Sequence, residues 1–246
     1  MHLCRHPLIV IAVLWLPFAE ALRAATPEAP AAFAWAISGG GKLSDKVRGA
    51  CIDSEGNVGD VLWIAQQFGE SSCLFHEIAC DADGRVWACG MFKGRATFGS
   101  EVFTTTGQKD SDAFLSHFTA DGKLAWTRVG QGPAIDYGLG VATDGRGNSY
   151  LTGEFTADFQ LGGETMHSRG GVDIYVAKFD EQGTLRWITQ AGGATGDNAY
   201  TLARNAKHGI VIGGSFSGTA KFGDSEITSG GATDLYVAKL DAEPDR

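Results

Sequence analysis

The chain has 246 residues, 43% hydrophobic and 20% charged, which is enough apolar material for one large domain or two small ones with a true core. The formal net charge is −9 with no basic stripe, which argues against a nucleic-acid partner. Glycine is abundant at 35 residues and proline scarce at 6, a balance that points to many tight turns and excludes collagen-like or disordered low-complexity chains.

The chain opens on a polar, basic start, His2, Arg5 and His6, followed by an apolar stretch of 12 residues from Pro7 to Phe18 and then Ala19-Glu20-Ala21, a small-x-small cleavage pattern. Residues 1–21 read as a secretory signal peptide. The apolar stretch is shorter than the roughly 20 residues that span a bilayer, and no second one follows, so no transmembrane segment is expected. Residues 22–32, rich in alanine with two prolines, read as a linker. The expected location is outside the cytoplasm: periplasmic, secreted or at the cell surface. Four cysteines follow: Cys51, Cys73, Cys80 and Cys89. They permit two disulfides with three connectivities, or serve as small buried hydrophobes. The second reading is preferred, because none recurs at an equivalent place further along.

From residue 33 to 246 the chain reads as a single repeat domain. Trp63, Trp126 and Trp187 stand 63 and 61 residues apart. Phe92, Phe155 and Phe216 each lie 29 residues after their tryptophan, and Phe98-Gly99, Leu161-Gly162 and Phe222-Gly223 follow six residues later. Asp112, Asp173 and Asp234, 61 and 61 apart, each open an apolar stretch. Turns such as Asp144-Gly145-Arg146-Gly147 separate stretches rich in β-branched and aromatic residues. No 3.6-residue periodicity of helical length occurs after the leader. Each unit therefore predicts four short strands, the third apolar on both faces. That pattern fits a sheet covered on either side by neighbouring sheets, as in a propeller blade.

The sequence W-x-x-x-G-G-x-x-x-D, then D-x-x-G-N-x-Y-x-T-G-x-F, then D-x-Y-V-A-K-x-D-x-x-G-x-x-x-W resembles the SBBP (seven-bladed β-propeller) repeat of bacterial exported proteins, over about residues 33 to 240. The resemblance implies a fold and export, and no reaction. The expected fold is all-β: a β-propeller-type array of four-stranded antiparallel blades, about three and a half in number. The units lie near 35–62, 63–125, 126–186 and 187–246. The first begins at Trp35 and is shortened, since Trp63 follows after only 28 residues. The chain enters on a fourth strand, Phe33 to Ser38, and stops after a third, Leu235 to Leu240; pairing those two completes a blade. Ring closure is left open among an open arc, which is favoured, a four-blade ring with one reduced blade, and a ring completed by oligomerisation through open blade edges.

Candidate site residues come from the same repeat. Asp45, Asp136 and Asp197 recur in the loop before each first strand, with Cys73 in their place in one unit. A ring of carboxylates suits Ca²⁺ or a sugar; the plainer role is capping the loop through backbone N–H groups, and it carries more weight. Asp53, Asp81, Asp144 and Asp180 precede a glycine by three residues and read as turn formers. His76-Glu77 lacks the helix that a zinc H-E-x-x-H site needs. His117 aligns with Lys178 and Lys239, a solvent-facing place. The tryptophans Trp35, Trp63, Trp126 and Trp187 are assigned to packing between units, not to sugar stacking. No serine elbow or phosphate loop occurs. The expected function is that of a non-enzymatic exported binding or scaffold module, with protein or polysaccharide as partner and no cofactor apart from the Ca²⁺ alternative. A hydrolase or lyase using acidic loop residues and a purely structural fragment of a larger cell-surface assembly are the alternatives.

Overall fold

Each Asp-x-x-Gly turn builds its own local scaffold. Asp81 Oδ1 accepts the amides of Asp83 and Arg85, both at 3.0 Å. Asp144 Oδ1 accepts those of Arg146 and Asn148 at 2.8 and 3.1 Å, and Asp180 Oδ1 those of Gln182 and Thr184 at 3.0 and 2.7 Å. A carboxylate that satisfies two amides within four residues reverses the chain and feeds one strand into the next. A computed structural model shows the result for residues 72–106, 110–205 and 209–241, together with the backbone of two short strands at 36–39 and 64–69. The chain divides into two compact units, Met1–Pro30 and Ala31–Arg246, and every described residue belongs to the second. The leader, the linker, Trp35, Asp45, Cys51, Asp53 and Trp63 lie outside the described residues.

The described residues are all β, with no helix among them, so none offers a helix long and apolar enough to cross a membrane. The strands are β1 (Ala36–Gly39), β2 (Ile64–Gly69), β3 (Ser72–Cys80), β4 (Val86–Lys93), β5 (Arg95–Phe98), β6 (Glu101–Thr104), β7 (Asp112–Phe118) and β8 (Leu124–Gly130). They continue as β9 (Tyr137–Thr143), β10 (Ser149–Leu161), β11 (Glu164–Phe179) and β12 (Leu185–Gly193). The last are β13 (Asp197–Asn205), β14 (Gly209–Phe216), β15 (Thr219–Phe222), β16 (Ser225–Thr228) and β17 (Asp234–Leu240). Antiparallel sheets run in the orders β3-β4-β7-β8, β9-β10-β11-β12 and β13-β14-β17.

The four-strand unit is a simplification. The Phe98-Gly99 and Phe222-Gly223 landmarks are the turns of two extra hairpins, β5–β6 and β15–β16. Gly99 and Gly223 have φ +60° and +61°, the left-handed geometry that a two-residue hairpin requires at its first central position. Leu161-Gly162 turns the prolonged outer ends of β10 and β11 in the same way. These hairpins extend the preceding sheet in each case: β5 pairs with β2, and β15 with β12.

Burial follows from the face-to-face packing of successive sheets. Trp87, Cys89 and Leu115 of β4 and β7 pack against Val141, Leu151, Phe155, Tyr175 and Phe179 of the next sheet. The opposite face of that sheet, with Tyr150, Ile174 and Val176, packs against Leu202, Ile210, Ile212 and Phe216. Strands such as β7 are therefore buried on both faces, as the apolar third strand predicts. Each of these large side chains removed from water contributes roughly 1.5–3 kcal/mol. Trp126 and Arg128 bind a turn of the following sheet: Trp126 Nε1 donates to Glu181 O at 2.9 Å, and Arg128 Nε to Gly183 O at 2.7 Å. Trp126 thus packs between two successive sheets.

Two expectations are corrected. The partnership of Phe33 to Ser38 with Leu235 to Leu240 is absent among the described residues: Ala36–Gly39 of β1 pairs in parallel with β2, and β17 pairs only with β14. His117 is buried, not solvent-facing. Its ring stacks on Trp87 at 4.5 Å with 7° between planes and leans on Trp126 at 5.4 Å. Lys178 at the equivalent place lies over the smaller Tyr150 and reaches outward.

Candidate functional site

The recurring phenylalanines and aspartates, separate landmarks in the sequence, are cross-strand partners. Phe92 faces Asp112, Phe155 faces Asp173 and Phe216 faces Asp234. On the other side of the same strands, Cys73 faces Phe92 and Asp197 faces Phe216. Asp136 immediately precedes β9, and its Oδ1 accepts the Thr156 amide at 3.3 Å. Each sheet thus carries one row: Cys73–Phe92–Asp112, then Asp136–Phe155–Asp173, then Asp197–Phe216–Asp234.

The rows meet at the junctions between units. Asp136 N donates to Ser111 O at 2.8 Å, which draws the loop before β9 against the start of β7. The Gly132 amide donates to Asp112, while a Cβ added at Gly132 would collide with Asp136 Oδ2. At the next junction a Cβ on Gly192 would collide with Asp173 Oδ1 and meet an Asp197 oxygen at 3.0 Å. Gly192 has φ +134°, so both its backbone and the crowding require glycine. Two carboxylate pairs result, Asp112/Asp136 and Asp173/Asp197, with the same separation of 24 residues.

All four aspartates are fully buried. Donors reach only some of their oxygens. Gln131 Nε2 lies 3.4 Å from Asp112 Oδ2, the Gly193 amide donates to Asp197 Oδ2 at 2.7 Å, and the Arg169 amide donates to Asp173 Oδ2. Asp112 Oδ1, Asp136 Oδ2, Asp173 Oδ1 and Asp197 Oδ1 are sealed from solvent with no hydrogen-bond partner. Burial pushes the Asp136 carboxyl up to about 8, with the charges of Asp112 and Asp110 adding to it, and pushes Asp112 up to about 6. Asp173 and Asp197 rise for the same reason, Asp197 also through Asp173. Like charges in a dry junction do not both ionise without compensation.

The loop-capping role of Asp136 and Asp197 is present in their backbone bonds, but it uses one oxygen of each. Asp234 is half-buried and accepts the Gly230 amide at 2.7 Å. Cys73 and Cys89 are buried and Cys80 half-buried, and burial raises the Cys89 thiol. His76 and Glu77 act across the junction: His76 Nδ1 lies 2.9 Å from Gly138 O, and Glu77 Oε2 accepts the Val141 amide at 3.0 Å. Sequence reasoning missed Glu154, which accepts the Ala199 amide and is pushed up to about 7 by burial. Its only sequence signal is a carboxylate inside the otherwise uncharged stretch from Tyr150 to Phe155. No family model matches the chain, and no curated protein matches it.

Proposed function

We propose that the chain is an exported β-propeller-type repeat protein that acts by binding rather than by catalysis. The observation that carries this reading is the fate of the recurring carboxylates. Acid/base work on a polysaccharide needs two carboxyl groups open to a substrate across a cleft. Asp112, Asp136, Asp173 and Asp197 are instead sealed between sheets, so the residues that recur serve the repeat. The propeller arrangement is supported by the contacts of β9 with β3 and β4, and of β13 with β9 and β10, which set successive first strands beside one another. The SBBP-like motifs support the same fold and export. Recognition then falls to the exposed loops, with a protein or polysaccharide as partner, and β17, paired only with β14 among the described residues, offers an edge for self-association. Purified protein probed on an immobilised polysaccharide array, with reducing ends and unsaturated products assayed on the same polymers, tests the reading. Retention without new ends is expected. Release of either product would establish the hydrolase or lyase alternative.

A further inference from the structure

Two junctions, 61 residues apart, present the same group of atoms. Each has two fully buried aspartates contributed by neighbouring units, and each aspartate keeps one oxygen that no donor reaches: Asp112 Oδ1 with Asp136 Oδ2, and Asp173 Oδ1 with Asp197 Oδ1. One partnerless oxygen of each pair lies against a glycine loop, Asp136 Oδ2 at Gly132 and Asp173 Oδ1 at Gly192, where Asp197 presents its bonded Oδ2. The Gly192 carbonyl is already occupied by Arg169 Nη1 at 3.2 Å, and that of Gly132 by Thr106 Oγ1 at 2.9 Å, so both loops are fixed in place before any ligand arrives. A buried oxygen that lacks a donor costs about 1–3 kcal/mol, more when charged. A fold that repeats this cost at two junctions gains from a positive partner there, which at the second junction adds to the charge of Arg169 near Asp173.

We propose that each of the two carboxylate pairs holds a hard divalent cation, Ca²⁺ foremost, which clasps one repeat unit to the next. The donor set is all oxygen, which suits Ca²⁺ and excludes soft metals. Apart from Asp110, whose charge reaches the first pair, no third acidic, histidine or cysteine side chain gathers at either pair among the described residues. The remaining ligands are therefore backbone carbonyls and water, and the affinity is that of the weaker extracellular Ca²⁺ modules, roughly 10⁻⁴–10⁻³ M. The proposal does not depend on what the exposed loops bind.

The test uses the full chain, stripped with EDTA and returned to millimolar Ca²⁺ at neutral pH. Calorimetry should count two ions per chain, and Ca²⁺ should raise the melting temperature by several degrees. Asp136→Asn should bind one ion and Asp136→Asn/Asp197→Asn none, with each variant melting cooperatively in EDTA. Should Asp136→Asn not fold, Asp112→Asn reads the same junction. Failure of wild-type protein to bind Ca²⁺ or to shift its melting temperature would overturn the proposal and leave a shared proton as each pair's only compensation. Equal binding by the double variant would overturn it too, by placing the ions elsewhere.

Discussion

His117 offers a direct measure of how dry the interface between units is. Its imidazole lies between the indoles of Trp87 and Trp126, and neither ring nitrogen finds a partner. Burial first, then the nearby Arg85 charge, lowers its pKa to about 4, against 6.5 for a free ring. Between those values the unfolded chain binds a proton that the folded chain refuses. The stability that neutral His117 provides is therefore present above pH 6.5 and lost as pH falls toward 4. Each pH unit of that gap is worth about 1.4 kcal/mol, which sets a ceiling of roughly 3 kcal/mol. Adjustment of the surrounding side chains lowers the expected loss to roughly 2 kcal/mol. Buried carboxylates held above their ordinary range act in the opposite sense over the same interval. The quantity to read is therefore the difference between wild type and His117→Phe, which keeps a ring between the indoles. Urea unfolding from pH ~7 to ~4 should show wild type losing roughly 2 kcal/mol relative to the variant. A flat difference, or an imidazole that titrates near its free value by NMR in the folded protein, would refute the reasoning.

Other consequences are as specific. Gly192→Ala forces a side chain into Asp173 at a left-handed φ and should cost at least ~2 kcal/mol, whereas Gly163→Ala, also left-handed but facing open space, should cost only about 1 kcal/mol; thermal melts compare them. Leu235 and Val237 are 84% and 81% exposed on one face of β17, a face left uncovered among the described residues, so Leu235→Lys/Val237→Lys should abolish concentration-dependent association in light scattering without lowering the melting temperature. Mass spectrometry of exported material should find a mature amino terminus at Leu22; retention of residues 1–21 would contradict the leader assignment. In EDTA, Asp136→Asn should gain stability relative to wild type as pH rises toward 8, because a raised carboxyl loses its stabilising proton over that range.

Much of this architecture was legible in the residues. The Asp-x-x-Gly turns and the doubly apolar third strand each rest on a local rule, and among the described residues Asp81, Asp144, Asp180 and β7 take that form. The hairpins at Phe98-Gly99 and Phe222-Gly223 were hidden because four-residue strands carry too little pattern to announce themselves. The burial of His117 depends on Trp87, which replaces Tyr150 and Val211 of the other units, so an alignment of His117 with two lysines was misleading. The carboxylate pairs join residues 24 apart that belong to different units. Periodicity within a unit says nothing about what faces what across a junction; only the packing of one sheet on the next brings Asp112 to Asp136 and Asp173 to Asp197.

The central claim is that the recurring aspartates are sealed in pairs between units and serve the fold. Carbon-13 NMR titration of the aspartate carboxyls in chelator-treated protein tests it most directly. The account predicts apparent values near 8 and 6 for the Asp136/Asp112 pair, and values above the ordinary 3.8 for Asp173 and Asp197. Four carboxyls that titrate at or below 3.8 would show them open to water, and would contradict it.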